Sequence, residues 1–232
     1  RLHIEEPERP APVTEPEKTF EEVLDEHPVS IQVNGQWQTF PNAKAAEEAS
    51  YEEYKANLRR NAKNFRITDE HLGEGGPKAK FQANVNAIRL LKELEAAGQQ
   101  ASPEQQEVLS RYVGWGGLSD AFDPEKPAWA LEYAQLKELL TPEEYAAARS
   151  STLNAHYTSP TVIQAIYEAV DRMGFETGNI LEPSMGVGNF FGMLPEKMRN
   201  SRLYGVELDP VSGRIAKQLY PKADITVGGF ET

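Results

Sequence analysis

Apolar residues recur at helical spacing in the middle of the chain and predict an amphipathic helix that ends at Gly98. Two capping boxes with proline at the first helical position, Ser102–Gln105 and Thr141–Glu144, predict two more helices. Nearer the amino terminus, short β-forming runs on either side of Asn34-Gly35 predict a β-hairpin over residues 29–40. The apolar stripe of the first helix consists of Phe81, Val85, Ile88, Leu91 and Leu94.

From residue 151 onward, helices alternate with short apolar strands. A helix that begins after Pro160 is followed by strands at 179–182, 202–207 and 224–227, with a helix around 211–219 before the last of them. This order predicts a parallel, doubly wound α/β sheet, of which the sequence contains three strands.

The net charge of −12 is unevenly distributed along the 232 residues. Residues 1–30 hold nine acids and three bases, so half of the net charge lies in this proline-containing stretch. Such a composition predicts a flexible acidic arm over residues 1–27. A mainly helical leader with the hairpin then covers 28–150, and the α/β segment covers 151–232. The rest of the chain is mildly acidic, so it is not a strong binder of DNA phosphates by itself.

The composition also argues against several kinds of site. The chain has no cysteine, and its four histidines lie far apart, so neither a disulfide nor a metal site is expected. No apolar run approaches the about 20 residues that cross a bilayer, and no signal-peptide pattern is present. We therefore expect a cytoplasmic protein without a membrane partner.

Two strand ends carry the residues that point to a ligand. The strand that ends at Glu182 leads into a turn with Gly186 and Gly188, and the next strand ends at Glu207. Glycines let the backbone approach a ligand, a helix N-terminus offers N–H groups, and a carboxylate on the neighbouring strand accepts from ribose hydroxyls. A purely structural turn is the alternative explanation of the two glycines.

The spacing of the glycines indicates which nucleoside-containing ligand the site would bind. The third glycine of the dinucleotide fingerprint is displaced, and the Gly-Lys-Ser/Thr of a phosphate-binding loop is absent. Glu182 would repel a pyrophosphate but suits a ligand with an ammonium group. S-adenosylmethionine has no pyrophosphate and carries an ammonium group, so it suits such a site.

Three segments resemble motifs of one enzyme family. Glu182–Phe190 resembles motif I of the class I, S-adenosylmethionine-dependent DNA methyltransferases of the N6-adenine group, and Gly205–Asp209 resembles their motif II. His156–Pro160 resembles motif X, which precedes motif I in that group as it does here. The resemblance implies a Rossmann-like methyltransferase sheet over residues 151–232.

The leader resembles a narrower group. Asn64–Thr68, Leu72–Phe81 and Tyr112–Leu118 look like the lead-in of very large methylase–helicase proteins of phages, plasmids and conjugative elements, including phage antirestriction proteins. In these proteins an adenine-methylase-like domain precedes a superfamily 2 helicase. This likeness covers roughly residues 60–232.

The family resemblance implies a role for each site residue. Glu207 is expected to bind both ribose hydroxyls, Leu208 to pack on the adenine, and Glu182 to lie near the amino group of the cofactor. The glycines admit the methionine part, which Tyr157 and Thr158 contact, unless these two form a helix cap with a packed aromatic. Asp209 is better explained as the cap of the following helix. The cofactor-binding candidates are Tyr157, Thr158, Glu182, Pro183, Gly186, Gly188, Asn189, Glu207 and Leu208.

Two departures from the family pattern limit what the chain can do. The third strand is followed by Gly228-Gly229-Phe230 in place of Gly-Asp-Phe, so the adenine contact is absent or comes from Glu231. The catalytic tetrapeptide, Asn/Asp/Ser-Pro-Pro-Tyr/Phe, does not occur, so no catalytic residue is expected in these 232 residues.

The chain therefore resembles the cofactor-binding part of a DNA adenine-N6 methyltransferase whose parent protein also carries the rest of the methylase domain and a helicase. We expect the chain itself to be inactive and to bind S-adenosylmethionine weakly if at all. The alternative is a degenerate methylase-like module that docks on DNA or on a protein in an antirestriction or helicase function.

Two smaller features each leave two interpretations open. Trp115, in an aromatic-glycine turn, predicts a core anchor or a residue that stacks on a base. A basic run predicts either a solvated helix face or a phosphate contact. It consists of Lys55, Arg59, Arg60, Lys63 and Arg66.

Overall fold

The computed structural model describes residues 27–231 apart from Glu70, Asn154 and His156. The acidic arm predicted over residues 1–27 lies outside this part of the chain, except for His27. The protein is a mixed α/β structure whose described residues divide into two compact units, one that ends at Asn57 and one that begins at Leu58. The division therefore falls at 57/58, and no division between units falls at the expected boundary, 150/151.

The first unit contains the predicted hairpin. Strands β1 (Val29–Val33) and β2 (Gln36–Phe40) pair antiparallel, with Gln32 opposite Trp37, as a two-residue loop requires. Asn34 and Gly35 have φ angles of 53° and 75°, the left-handed pair that a type I′ turn needs. The hairpin is followed by helix α1 (Ala43–Asn61).

The second unit begins with the leader helices. The predicted stripe is the buried face of α2, and both capping boxes are formed, with Ser102 and Thr141 as the N-caps of α3 and α5. Each cap side chain accepts from the N3 backbone, and the N3 side chain accepts from the cap backbone, so both helix starts are fixed locally. The helices are α2 (Pro77–Ala96), α3 (Pro103–Ser110), α4 (Ala130–Leu139), α5 (Pro142–Ser151), α6 (Pro160–Arg172), α7 (Asn189–Gly192) and α8 (Pro210–Leu219).

The strands of the second unit form a parallel sheet in the order β3-β4-β5. Strands β3 (Asn179–Glu182), β4 (Arg202–Glu207) and β5 (Asp224–Val227) have the bounds that the sequence predicts. Glu182 and Glu207, the last residues of two neighbouring strands, therefore reach the same edge of the sheet.

Trp115 lies at the centre of the core of the second unit. Its indole is fully buried and meets Phe81, Tyr112 and Phe122 edge-on, with ring centroids 6.0, 6.3 and 5.3 Å apart. The interpretation as a core anchor is confirmed. The base-stacking alternative is wrong, because a side chain with no accessible surface cannot stack on a nucleic acid base.

The same core continues from the leader into the α/β segment, with buried side chains from Phe65 to Ile225 in one cluster. Backbone bonds join the two as well: Phe65 N–H donates to Leu219 O at 2.8 Å, and Ile67 N–H donates to Gly192 O at 3.0 Å. The leader is therefore part of the structure that supports the sheet.

Candidate functional site

A cavity of about 540 Å³ opens at the carboxyl ends of β3 and β4. This is the edge of a parallel sheet where ligands bind in open α/β folds, and the volume lies in the range of small-molecule sites. The structure brings seven of the nine candidate residues together there. They are Tyr157, Thr158, Glu182, Gly186, Asn189, Glu207 and Leu208.

Glu207 joins the two strand ends through hydrogen bonds. Gly186 N–H donates to Glu207 Oε2 at 2.7 Å, and Asp209 N–H donates to Oε1 at 2.7 Å. Gly186 has φ +58°, a left-handed conformation that favours glycine. A carboxylate offers about four acceptor positions. Two donors among the described residues therefore leave acceptor capacity on both oxygens for a pair of vicinal hydroxyls.

Glu182 contributes the second carboxylate. Burial raises its pKa above the usual value, and a hydrogen bond from the Ser184 backbone opposes this shift. Glu182, Glu207 and Asp209 line the cavity, and its described lining contains no Lys or Arg. The cavity therefore favours a cationic group and disfavours a phosphate.

Tyr157 forms one wall. Its ring packs beside Gly186, and its hydroxyl lies 3.2 Å from Ser212 Oγ; burial raises the pKa of this phenol. Thr158 is exposed at the cavity and does not cap α6, whose N-cap residue is Ser159. The alternative of a threonine cap is therefore wrong, while the packed aromatic is observed.

Leu208 and Asp209, the two residues that follow Glu207 at the end of β4, make different contacts. Asp209 Oδ1 accepts from Val211 N–H and Ser212 N–H at 2.8 and 2.9 Å, which confirms its prediction as the cap of α8. Leu208 is 74% exposed and lines the cavity. It offers an apolar surface beside Glu207.

Three residues do not reach the cavity. Pro183, Gly188 and Glu231 are absent from its lining. Gly188 is needed for packing instead: it has φ +88°, and an added Cβ would lie 2.5 Å from the Tyr220 ring. The structure does not place Glu231 where it could replace the aspartate of the Gly-Asp-Phe pattern.

Comparison with known proteins yields two partial similarities. The chain is 25% identical over 159 residues to the defense against restriction protein B of Escherichia phage P1, a match that covers 68% of this chain and 6% of that protein. It is 43% identical over 58 residues to the type II methyltransferase M.CvrRI of Paramecium bursaria Chlorella virus XZ-6E, covering 25% of this chain and 15% of that enzyme. No family model and no solved structure matches the chain.

These similarities support a methyltransferase-like segment in a chain related to a phage antirestriction protein. The chain spans a small share of both relatives.

Sequence reasoning missed the part of the cavity wall that the leader supplies. Gly114 comes from the turn around Trp115, and Ala147, Ser150 and Ser151 come from the end of α5. Local patterns could not reveal these small residues, because distant packing brings them to the sheet. The aromatic-glycine turn is visible in the sequence, but its pattern predicts a role for Trp115 and none for Gly114. Ser184, Met185, Phe190 and Ser212 also line the cavity beside the predicted residues.

Among the residues that the structure describes, no helix combines the length and the apolar character needed to cross a membrane. No group of three or more His, Asp or Glu side chains in the same residues is arranged to hold a metal ion.

Of the basic run, the described side chains show one contact that bears on its role. The Arg66 guanidinium donates to Leu194 O at 3.2 Å, so this residue has a structural partner within its own unit. Lys63 is exposed. The side chains of Lys55, Arg59 and Arg60 lie outside the described residues, so the choice between solvated face and phosphate contact stays a prediction.

Proposed function

We propose that residues 151–232, together with the leader wall, form the S-adenosylmethionine-binding part of a DNA adenine-N6 methyltransferase with a Rossmann-like sheet. The observation that carries the proposal is the contact between Gly186 N–H and Glu207 Oε2. It joins the glycine turn and the acidic strand end at one point of a cavity, where a single ribose can meet both.

The chemistry of the lining fits this cofactor. S-adenosylmethionine carries a sulfonium and an ammonium group, and two strand-end carboxylates without a cation in the described lining suit both. Glu207 would take the ribose hydroxyls, Leu208 would pack on the adenine, and Glu182 would face the ammonium. Tyr157, Thr158 and Asn189 would line the methionyl end. Pro183 and Gly188 would act indirectly, by shaping the turn.

The parent protein would use this cofactor on DNA. When bound, S-adenosylmethionine supplies a methyl group activated by its sulfonium, and adenine N6 would be the acceptor. The chain contains no catalytic tetrapeptide, so we assign it binding and not transfer. We propose that the remainder of the methylase domain and a helicase belong to the parent, and that DNA is its substrate.

The test is the affinity of S-adenosylmethionine for the wild-type chain and for Glu207→Gln, measured by NMR titration so that weak binding is detected. We expect a loss of about tenfold or more, because the amide cannot accept both backbone donors and both ribose hydroxyls. Glu176→Gln is the matched control, since Glu176 is exposed and does not line the cavity. Equal affinity of all three proteins would remove Glu207 from the site.

The alternative function is a methylase-like docking module in an antirestriction protein, and the similarity to the phage P1 protein favours it. The two proposals separate on the same titration. Because the leader supplies part of the cavity wall, the proposal requires weak but measurable binding by this chain. A folded wild-type chain that shows no binding at millimolar S-adenosylmethionine therefore supports the docking module.

A further inference from the structure

The Tyr157 ring is held at its two opposite edges by glycines from different parts of the chain. A Cβ added at Gly186 would lie 2.9 Å from Tyr157 Cε1, and a Cβ added at Gly114 would lie 2.6 Å from Tyr157 Cε2. Real Cβ atoms do not approach so closely, so a side chain at either position has to move the ring. Gly186 belongs to the glycine turn of the site, whereas Gly114 belongs to the leader.

Hydrogen bonds to helix α2 hold the leader turn that carries Gly114 in place. Asn84 of α2 is fully buried; its Nδ2 donates to Gly114 O at 2.6 Å, and its Oδ1 accepts from Val113 N–H at 2.9 Å. A polar residue inside the apolar face of a helix is explained when both ends of its amide are bonded in this way. The turn therefore has one position relative to α2.

A second contact ties the same turn to the segment before Tyr157. Gly116 lies so close to the carbonyl oxygen of Ala155 that an added Cβ would collide with it. The leader turn thus sets the position of the backbone at residue 155 and of the ring at residue 157.

We propose that Gly114 is a positioning residue for the cofactor cavity, which acts by setting the place of the Tyr157 ring. The inference rests on the proposed function and deepens it by including the leader in the site. A side chain at position 114 would push the ring towards Gly186, whose N–H holds Glu207. Its effect would therefore reach the ribose-binding carboxylate through two contacts.

The chain offers a matched control in the same turn. Gly114 and Gly117 both have left-handed backbones, with φ +68° and +74°, but a Cβ at Gly117 would meet nothing within 4 Å. Gly114→Ala and Gly117→Ala should both lower the melting temperature through backbone strain, and Gly114→Ala should lower it further because its methyl group displaces the Tyr157 ring. They differ in whether the new methyl group meets Tyr157.

The experiment measures the dissociation constant of S-adenosylmethionine for the full chain by NMR titration. We expect Gly117→Ala to bind within about twofold of wild type and Gly114→Ala to bind about tenfold more weakly, because small displacements of a binding wall are costly. In a Tyr157→Leu background, which removes the ring, alanine at position 114 should cause no further loss. This rescue would not occur if Gly114 had only a structural role.

Each other outcome decides the question. Equal losses in the two alanine variants, or a loss at position 114 that persists without the ring, overturn the inference while the proposed function stands. A wild-type chain without affinity for the cofactor overturns both. If Gly114→Ala does not fold, recovery of folding in Gly114→Ala/Tyr157→Leu supports the contact, and continued failure to fold overturns it.

Discussion

At the scale of single residues, the cavity contains two glutamates in different surroundings. Glu207 is held by two backbone N–H groups, so its carboxylate has a fixed orientation before any ligand arrives. Glu182 is half-buried, and its burial raises its pKa. The first is prepared for directional hydrogen bonds, whereas the second is a desolvated charge that a cation would stabilise.

This difference predicts a pH dependence. Ionised Glu182 should attract the ammonium group, so the affinity for S-adenosylmethionine should fall as the pH is lowered through the raised pKa. We expect Glu182→Gln to bind about tenfold more weakly than wild type at about pH 8, the usual magnitude for a charge-assisted hydrogen bond. The measurement is the affinity of both proteins from that pH down to the acid side of the Glu182 titration.

The difference between the two proteins should vanish at the acid end, because protonated Glu182 and the glutamine of the variant are both neutral. Other groups titrate equally in both proteins and cancel in the ratio. In the absence of ligand the sign is opposite: a raised folded-state pKa means that ionisation of Glu182 destabilises the fold, so Glu182→Gln should be at least as stable as wild type at about pH 8. A constant affinity ratio across the pH range would contradict the role of Glu182.

At the scale of elements, an ion cluster around the buried carboxylate of Glu144 joins two leader helices to α8. Glu144 of α5 accepts from Lys92 of α2 at 2.9 Å and from Arg214 of α8 at 2.7 Å, and Arg214 also pairs with Glu95. Burial alone would raise the pKa of Glu144, but the bonds from Lys92, the Thr141 backbone and Arg214 outweigh it and lower the pKa to about 2. Glu144, the N3 residue of the α5 capping box, thus also links α5 to α2 and α8.

Loss of this charge should destabilise the protein. Glu144→Gln leaves Lys92 and Arg214 without their buried partner, but both cations are partly exposed and can be hydrated, so we expect the free energy of unfolding to fall by about 1 kcal/mol at neutral pH. Urea unfolding followed by circular dichroism measures it, with Glu143→Gln, an exposed neighbour in the same helical turn, as the control. Equal stability of the two variants would show that the cluster contributes little.

The pH dependence of this effect follows from the lowered pKa. Stability due to Glu144 is fully present above its usual value of 4.5 and is lost as the pH falls towards about 2. The stability difference between wild type and Glu144→Gln should therefore shrink over this range.

At the scale of the molecule, residues from Leu58 onward behave as one unit because they share one core. Trp115, in the leader, is the largest of its fully buried side chains. Removal of this side chain should therefore destabilise the sheet as well as the leader. If the leader and the sheet were separate domains, only the leader would be destabilised.

Hydrogen exchange of the full chain distinguishes these cases. Trp115→Ala should cost about 3–5 kcal/mol and lower amide protection in β4 and α8 as well as in α2. Trp37→Ala is the control, since Trp37 lies in the hairpin of the other unit and is 71% exposed. If Trp115→Ala lowered amide protection in α2 but not in β4, the leader and the sheet would be separate domains with a boundary at residue 150.

The local elements could be predicted because their signals are local. The capping boxes at Ser102 and Thr141, the turn at Asn34-Gly35 and the three strands follow from propensity, capping and periodicity over a few residues. The candidate site could be predicted in part for a related reason: the ends of neighbouring parallel strands meet at one edge, so Glu182, Gly186 and Glu207 had to be close.

The sequence by itself determined which residues end the strands, which cap the helices, and the acidic character of the cavity. Only the tertiary structure decided that the leader belongs to the same unit, that Gly114 and the end of α5 complete the wall, and that Gly188 packs on Tyr220. The physical reason is sequence separation: contacts between residues far apart in the chain arise from burial of a shared apolar surface, which leaves no short-range pattern in the sequence.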